Sequence, residues 1–100
     1  MTELEKAVAS ALRLSDKAAE KLLPTIQRNI LTARSELIRT GVSSVLAKGN
    51  NVLVEDAVIT FCMYKMDDAS MQDKHWDAFV YQCDNLRKST FEEEEVTDEE

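Results

Sequence analysis

The chain has 100 residues, of which 44% are hydrophobic and 31% are charged, with two glycines, one proline and a formal net charge of -7. A chain of this length builds one modest core, which excludes a large enzyme with a cleft between domains. The low glycine and proline content argues against a turn-rich β-sandwich, the apolar fraction is too high for a wholly disordered chain, and no apolar run is long enough to span a bilayer.

The first predicted helix begins with a capping box. Thr2 can cap the N-terminal amides while Glu5, three residues on, reaches back to it. Apolar residues then recur at helical spacing to about Arg13. The N-terminus does not have the basic-then-apolar order of a signal peptide, so we expect an intracellular protein.

The second predicted helix is the longest. Ser15 offers its N-cap, and apolar residues keep a 3.6-residue period to Thr40. Pro24 lies inside this helix and predicts either a kink or two pieces joined near Leu23, because proline removes one hydrogen bond of the helical ladder.

A loop over residues 42–51 follows. Gly41 and Val42 together predict a Schellman ending of the second helix, since glycine accepts the left-handed conformation. The tip of the loop is formed by residues 48–51, and short extended pieces near Val45 and Val52 would form a small hairpin.

Two further helices complete the predicted bundle. The third, from about Leu53, is apolar on most sides, which is typical of the buried centre of a bundle or of a helix covered by another subunit. Residues 67–70 break it, and Ser70 is the expected cap of the last helix, which runs to about Ser89. Its apolar stripe comprises Trp76, Phe79, Val80, Cys83 and Leu86. The sequence thus predicts an all-α fold, a small bundle of about four helices with a loop or short hairpin before the third main helix.

The net charge resides entirely in the C-terminus. Residues 1–90 contain all 12 lysines and arginines and also 12 acids, so they are formally neutral, whereas residues 91–100 contain seven acids and no base. We therefore divide the chain into a helical domain, 1–90, and an acidic C-terminal tail, 91–100.

No set of residues predicts catalysis. His75 is the only histidine, and we interpret it as a solvated helix residue without partners. Cys62 and Cys83 are interpreted as buried small side chains, because a zinc site would need four ligands at short paired spacings. We expect no catalytic residues, no metal and no cofactor.

Basic side chains on the long helix do not predict a nucleic-acid site. Lys21, Arg28, Arg34 and Arg39 spiral around the helix instead of forming one stripe, so we interpret them as a solvated face. The acidic tail leaves two interpretations open. It is either a solubilising end, or an arm in which Phe91 and Val96 bracket Glu92–Glu95 and anchor the chain in the groove of a basic partner.

The order of these features resembles a known family. A short helix ending in Ala-Leu-Arg-Leu (11–14) precedes a long helix closed by Ser-Glu-Leu-Ile-Arg-Thr-Gly-Val (35–42). A loop, an apolar helix over residues 54–64 and a last helix over residues 76–89 follow. This arrangement is similar to the head-tail connector proteins of tailed bacteriophages, also called adaptor or head-completion proteins, over nearly all of residues 1–90.

The resemblance implies a structural virion protein without enzymatic activity. Such subunits form a ring, typically of twelve copies, under the portal protein. The ring extends the channel through which DNA passes without specific binding, and it docks the next neck or tail completion protein. The implied localisation is the head-tail interface of the virion, with the host cytoplasm during assembly.

By position, the resemblance places partner binding in the last helix, the tail and the loop. The expected residues are Leu86, Lys88, Phe91, Glu92, Glu93, Glu94, Glu95, Val96, Lys48 and Asn50. The alternative is a small helical regulatory protein that binds a basic partner through its acidic tail.

Overall fold

Most of the described chain is helical. This computed structural model describes the backbone of residues 1–98 and the side chains of residues 1–88. The α-helices are α1 (Glu3–Ala11), α2 (Asp16–Arg39), α3 (Ser44–Lys48), α4 (Val52–Met66) and α5 (Gln72–Asp98), with a short 3-10 helix, Ala69–Met71, before α5. Residues 1–98 contain no strand, which confirms the predicted all-α bundle. None of the helices described is both long and apolar enough to cross a bilayer.

Local capping chemistry sets the first two helix starts, as predicted. At α1, the Glu5 amide donates to the Thr2 hydroxyl at 3.1 Å, and the Thr2 amide donates to the Glu5 carboxylate at 2.8 Å. At α2, the Ala18 amide donates to the Ser15 hydroxyl at 3.2 Å. Each contact satisfies an amide that the helix itself leaves without an acceptor.

The long helix α2 is uninterrupted, and Pro24 lies inside it. The prediction of two pieces joined near Leu23 is therefore wrong. The C-terminus of α2 is the predicted Schellman ending: Gly41 has φ +109°, and the amides of Gly41 and Val42 donate to the carbonyls of Ile38 and Leu37 at 3.0 Å. The chain reverses direction here.

The predicted hairpin is wrong, because the loop contains the single-turn helix α3. Ser43 caps this turn, its hydroxyl accepting from the Leu46 amide at 3.2 Å, and Gly49 ends it. A serine cap and a terminal glycine outweigh the extended preference of an isolated valine in so short a segment.

Helix α4 is the centre of the bundle and packs against α1, α2 and α5. This confirms the first of the two explanations for its apolar sequence. Its buried residues lie on most sides of the helix and comprise Val54, Ala57, Val58, Thr60, Phe61 and Cys62.

Aromatic contacts fix the register between α4 and α5. The ring centroids of Tyr64 and Trp76 are 5.0 Å apart, and those of Phe61 and Phe79 are 5.2 Å apart. These pairs show that the two helices run antiparallel. Extended at the same residue spacing, this register pairs Val52, the first residue of α4, with the part of α5 near Lys88.

Helix α5 departs from its prediction in three respects. It continues to Asp98 instead of ending near Ser89, since the four glutamates at 92–95 favour helix even where apolar periodicity stops. Its start follows the 3-10 helix, which contains the expected cap, Ser70. Of its predicted apolar stripe, Phe79, Cys83 and Leu86 are buried, whereas Trp76 and Val80 are 37% and 42% exposed because they lie at the edge of the contact with α4.

Candidate functional site

The two separate groups of expected partner-binding residues converge at one end of the bundle. Lys48 and Asn50 lie in α3 and the loop after it, which follow the end of α2 in the chain. The α4–α5 register, extended along both helices, pairs Lys88 with Val52. The Arg87 side chain donates to the Thr40 carbonyl at 3.4 Å, so this part of α5 also touches the end of α2. We call this region the α3 end.

The α3 end exposes large apolar side chains. Val45 is 84% exposed, Val52 69% and Leu53 56%, and the polar residues Lys48 and Asn50 are exposed between them in the chain. We call these five residues the corner. Three large apolar side chains exposed within nine residues of chain make this segment a candidate interaction site.

One arginine holds the corner on the bundle. The Nη1 atom of Arg34, in α2, donates to the carbonyls of Ala47 and Gly49, both at 2.8 Å. The interpretation of Arg34 as part of a solvated face is therefore wrong, because its guanidinium satisfies carbonyls at the end of α3. Its companions Lys21, Arg28 and Arg39 are exposed, as predicted. No sequence signal marks this contact, since it joins residues 13 and 15 positions apart through the fold.

A groove adjoins the corner. It lies between the start of α1, the middle of α2 and the first turn of α4, and its volume is about 600 Å³. Leu31, 68% exposed, lines it together with Leu4 and Ile30, while Arg34 and Glu55 supply opposite charges. Arg34 thus lines this groove and also contacts the end of α3.

An arm extends from the same end. Beyond Lys88, residues 89–98 continue α5 by about 15 Å. The expected contact residues Phe91, Glu92–Glu95 and Val96 belong to this arm, and their side chains lie outside the described residues. Leu86, by contrast, is only 2% exposed, so its side chain belongs to the core and is not available to a partner.

His75 has a partner that the sequence did not reveal. Its Nε2 lies 2.8 Å from Oδ2 of Asp67, the residue that ends α4, and only 12% of its side chain is exposed. The interpretation of His75 as solvated is wrong, because the 3-10 helix returns the chain so that these residues meet. The hydrogen bond from His75 and a second from the Asp68 amide lower the pKa of Asp67. The pair fastens the α4–α5 connection.

The two cysteines are buried and free, which confirms their interpretation as small core side chains. Burial raises the pKa of Cys62 to about 12, and it also raises the pKa of Cys83. Among the side chains of residues 1–88, no group of three or more histidine, cysteine or acidic residues is placed to hold a metal ion.

No protein-family model, curated protein or solved structure matches the chain. Its candidate site therefore rests on the geometry of the α3 end.

Proposed function

We propose that this protein is a head-tail connector subunit of a tailed bacteriophage, a structural component without enzymatic activity that binds the portal protein through its α3 end. The observation that carries the proposal is the convergence of the exposed corner and the α5 arm at one end of the molecule. The order of helices, which suggested the family, supports the same assignment.

The charge distribution suits a basic surface on the portal. Residues 1–90 are formally neutral, and the seven acids of residues 91–100 carry the whole net charge. An acidic arm steers association with a basic groove, while apolar side chains such as Val45 and Leu53 supply contact area that loses water on binding. We propose that the acidic arm steers the protein towards the portal and that the apolar side chains of the corner anchor it there.

The proposed assembly is a ring of subunits, twelve by family resemblance, placed between the portal and the next neck or tail completion protein. In such a ring DNA passes through the central channel without specific binding. The formally neutral bundle agrees with this, because phosphate contacts by lysine and arginine are what hold DNA. The proposed location is the head-tail interface of the virion, after assembly in the host cytoplasm.

Deletion of residues 91–100 tests the role of the arm. The core formed by the side chains of residues 1–88 lies before this segment, so we expect circular dichroism to show the same melting temperature, with a helical signal reduced only by the residues removed. In a pull-down with the cognate portal protein, the truncated chain should be retained more weakly. Loss of the melting transition would show instead that the arm is part of the core.

Substitution of the corner tests anchoring separately. We expect Val45→Ser combined with Leu53→Ser to weaken retention by the portal while the melting temperature stays nearly unchanged, since both side chains are mostly exposed. Tyr81→Ser is the matched control: Tyr81 is 68% exposed and lies about two turns before Lys88. Equal retention of the corner and control variants would contradict the assignment.

The acidic arm also fits the second candidate, a regulatory protein that binds another basic partner. The two functions differ in how the partner responds to DNA. A regulatory protein whose arm mimics nucleic acid competes with DNA for its partner, whereas a connector binds the portal whether or not DNA is added.

A further inference from the structure

Part of the corner lies in α3, a helix that is too short to be stable by itself. Helix α3 is a single turn of residues Ser44–Lys48, and helices of this length are marginal in water because they form few internal hydrogen bonds. The Leu46 carbonyl accepts from the Gly49 amide at 3.1 Å, whereas a carbonyl as close to the helix end as that of Ala47 has no amide donor within the helix. In α3, Ala47 is the one fully buried side chain, and Val45 is the most exposed large apolar residue described.

Arg34 donates hydrogen bonds to backbone carbonyls at the end of α3. Its Nη1 donates to the Ala47 carbonyl and to the carbonyl of Gly49, the residue that ends the turn, both at 2.8 Å. A cation is favoured at a helix C-terminus, because the free carbonyls there carry partial negative charge. Arg34 is itself half-buried between the adjoining groove and α3, so these hydrogen bonds are partly shielded from water.

The contacts of Arg34 also help to position residues 48–52, which follow Ala47 in the chain. Gly49 leads into Asn51, whose side chain accepts from the Leu53 amide at 2.8 Å and starts α4. The chain between Ala47 and Val52 is therefore fixed at one side by the arginine and at the other by the cap of α4. Without the arginine, the Ala47 and Gly49 carbonyls lose these hydrogen bonds, and the burial of Ala47 and the caps by Ser43 and Asn51 remain to position Lys48 and Asn50.

We propose that Arg34 is the positioning residue of the portal-binding surface, holding α3 and the loop after it in the arrangement that a partner recognises. This inference rests on the function proposed above. A surface that is already ordered loses less conformational freedom on binding, so the arginine raises affinity by holding α3 in place.

The test compares variants of the full-length protein. Arg34→Met removes both hydrogen bonds and keeps much of the apolar stem, whereas Arg34→Lys keeps the charge and donors that can reach the carbonyls. Arg28→Met is the matched control, because Arg28 is an exposed arginine of the same helix. If Arg34→Met fails to fold, Arg34→Gln takes its place.

The first readout is local and needs no partner. In Arg34→Met we expect trypsin to cleave the bond after Lys48 about tenfold faster or more, and the amides of residues 46–50 to exchange correspondingly faster, as loss of a charged hydrogen bond implies. Amides of the buried part of α4 should exchange at the wild-type rate. Arg34→Lys should restore most of the protection, and Arg28→Met should match the wild type.

The second readout is the affinity for the portal protein. We expect Arg34→Met to bind about tenfold more weakly, Arg34→Lys to recover most of the loss, and Arg28→Met to bind as the wild type does. If trypsin cleaves Arg34→Met after Lys48 at the wild-type rate, Arg34 does not hold α3 and the loop after it in place. Faster cleavage with unchanged affinity overturns its role in docking. If the wild type never binds the portal, the proposed function fails, and the cleavage experiment still decides whether Arg34 holds the corner.

Discussion

At the scale of single residues, Arg13 occupies a backbone conformation that arginine rarely adopts. Its φ is +56°, and the Leu14 amide after it donates to the Ala9 carbonyl at 3.0 Å in a second Schellman ending. The left-handed conformation costs a residue with a Cβ atom about 1 kcal/mol, and glycine avoids that cost.

We therefore expect Arg13→Gly to be about 1 kcal/mol more stable than Arg13→Ala in urea unfolding. The alanine variant is the control, because it loses the same charge and keeps the strained backbone. Equal free energies of unfolding for the two variants would contradict the proposed strain.

Among the side chains of residues 1–88, the carboxyl groups of Glu5, Glu36 and Asp67 have a lowered pKa in the folded protein. The hydrogen bond with the Thr2 backbone lowers the pKa of Glu5, to which Gln27 also donates at 3.1 Å. A hydrogen bond from Arg39 lowers that of Glu36, and one from His75 lowers that of Asp67. Each group binds a proton less readily when folded than when unfolded, so it stabilises the folded state above its ordinary pKa.

The free energy of unfolding should accordingly decrease as the pH falls below the ordinary glutamate value of 4.5 and through the lowered value of Glu5. Glu5→Gln should show a shallower decrease over this range than the wild type. Glu20→Gln, a change at an exposed acid of α2, is the control and should keep the wild-type slope. Identical slopes in all three proteins would show that Glu5 contributes nothing to acid sensitivity.

Local chemistry explains which residue-scale features the sequence predicts. The caps by Thr2 and Ser15 involve neighbours three residues away, so short motifs reveal them. The contacts of His75 and Arg34 depend on how connections between helices fold back, and no short motif encodes that path. Arg13 escapes prediction because arginine is not a usual terminator of helices.

At the scale of helices, the aromatic contacts between α4 and α5 predict different losses of stability for alanine substitutions at Phe61 and Trp76, two aromatic residues that look equivalent in the sequence. Phe61 is 3% exposed and touches Phe79 and Tyr64, whereas Trp76 is 37% exposed at the edge of the same group. Phe61→Ala should therefore cost about 3 to 5 kcal/mol of stability, and Trp76→Ala about 2 kcal/mol. Thermal and urea unfolding measure both, and a larger loss for Trp76→Ala would contradict the packing described.

Helix existence follows from the sequence more closely than helix ends do. The main helices are detectable because each shows an apolar pattern over several turns. Helix α3 is too short for such a pattern, although Ser43 and Gly49 in retrospect mark its start and end. The predicted end of α5 near Ser89 is too early, because the apolar spacing stops there whereas four helix-favouring glutamates follow at 92–95 and the helix ends at Asp98.

At the scale of the whole molecule, composition alone describes an acidic protein, and the fold changes that description. The bundle is formally neutral, and the charge lies in an arm that continues α5 beyond α4. The bend at Gly41, the turn α3 and the α4–α5 register together bring the exposed corner to the end from which that arm leaves. The sequence identifies the arm and the loop as candidates, but only packing shows that they share one surface.

The most direct test of the account is native mass spectrometry of the full-length protein, alone and mixed with the cognate portal protein. We expect a closed ring of subunits bound to the portal, and weaker attachment of the variant without residues 91–100. A protein that stays strictly monomeric and never binds the portal would contradict the account.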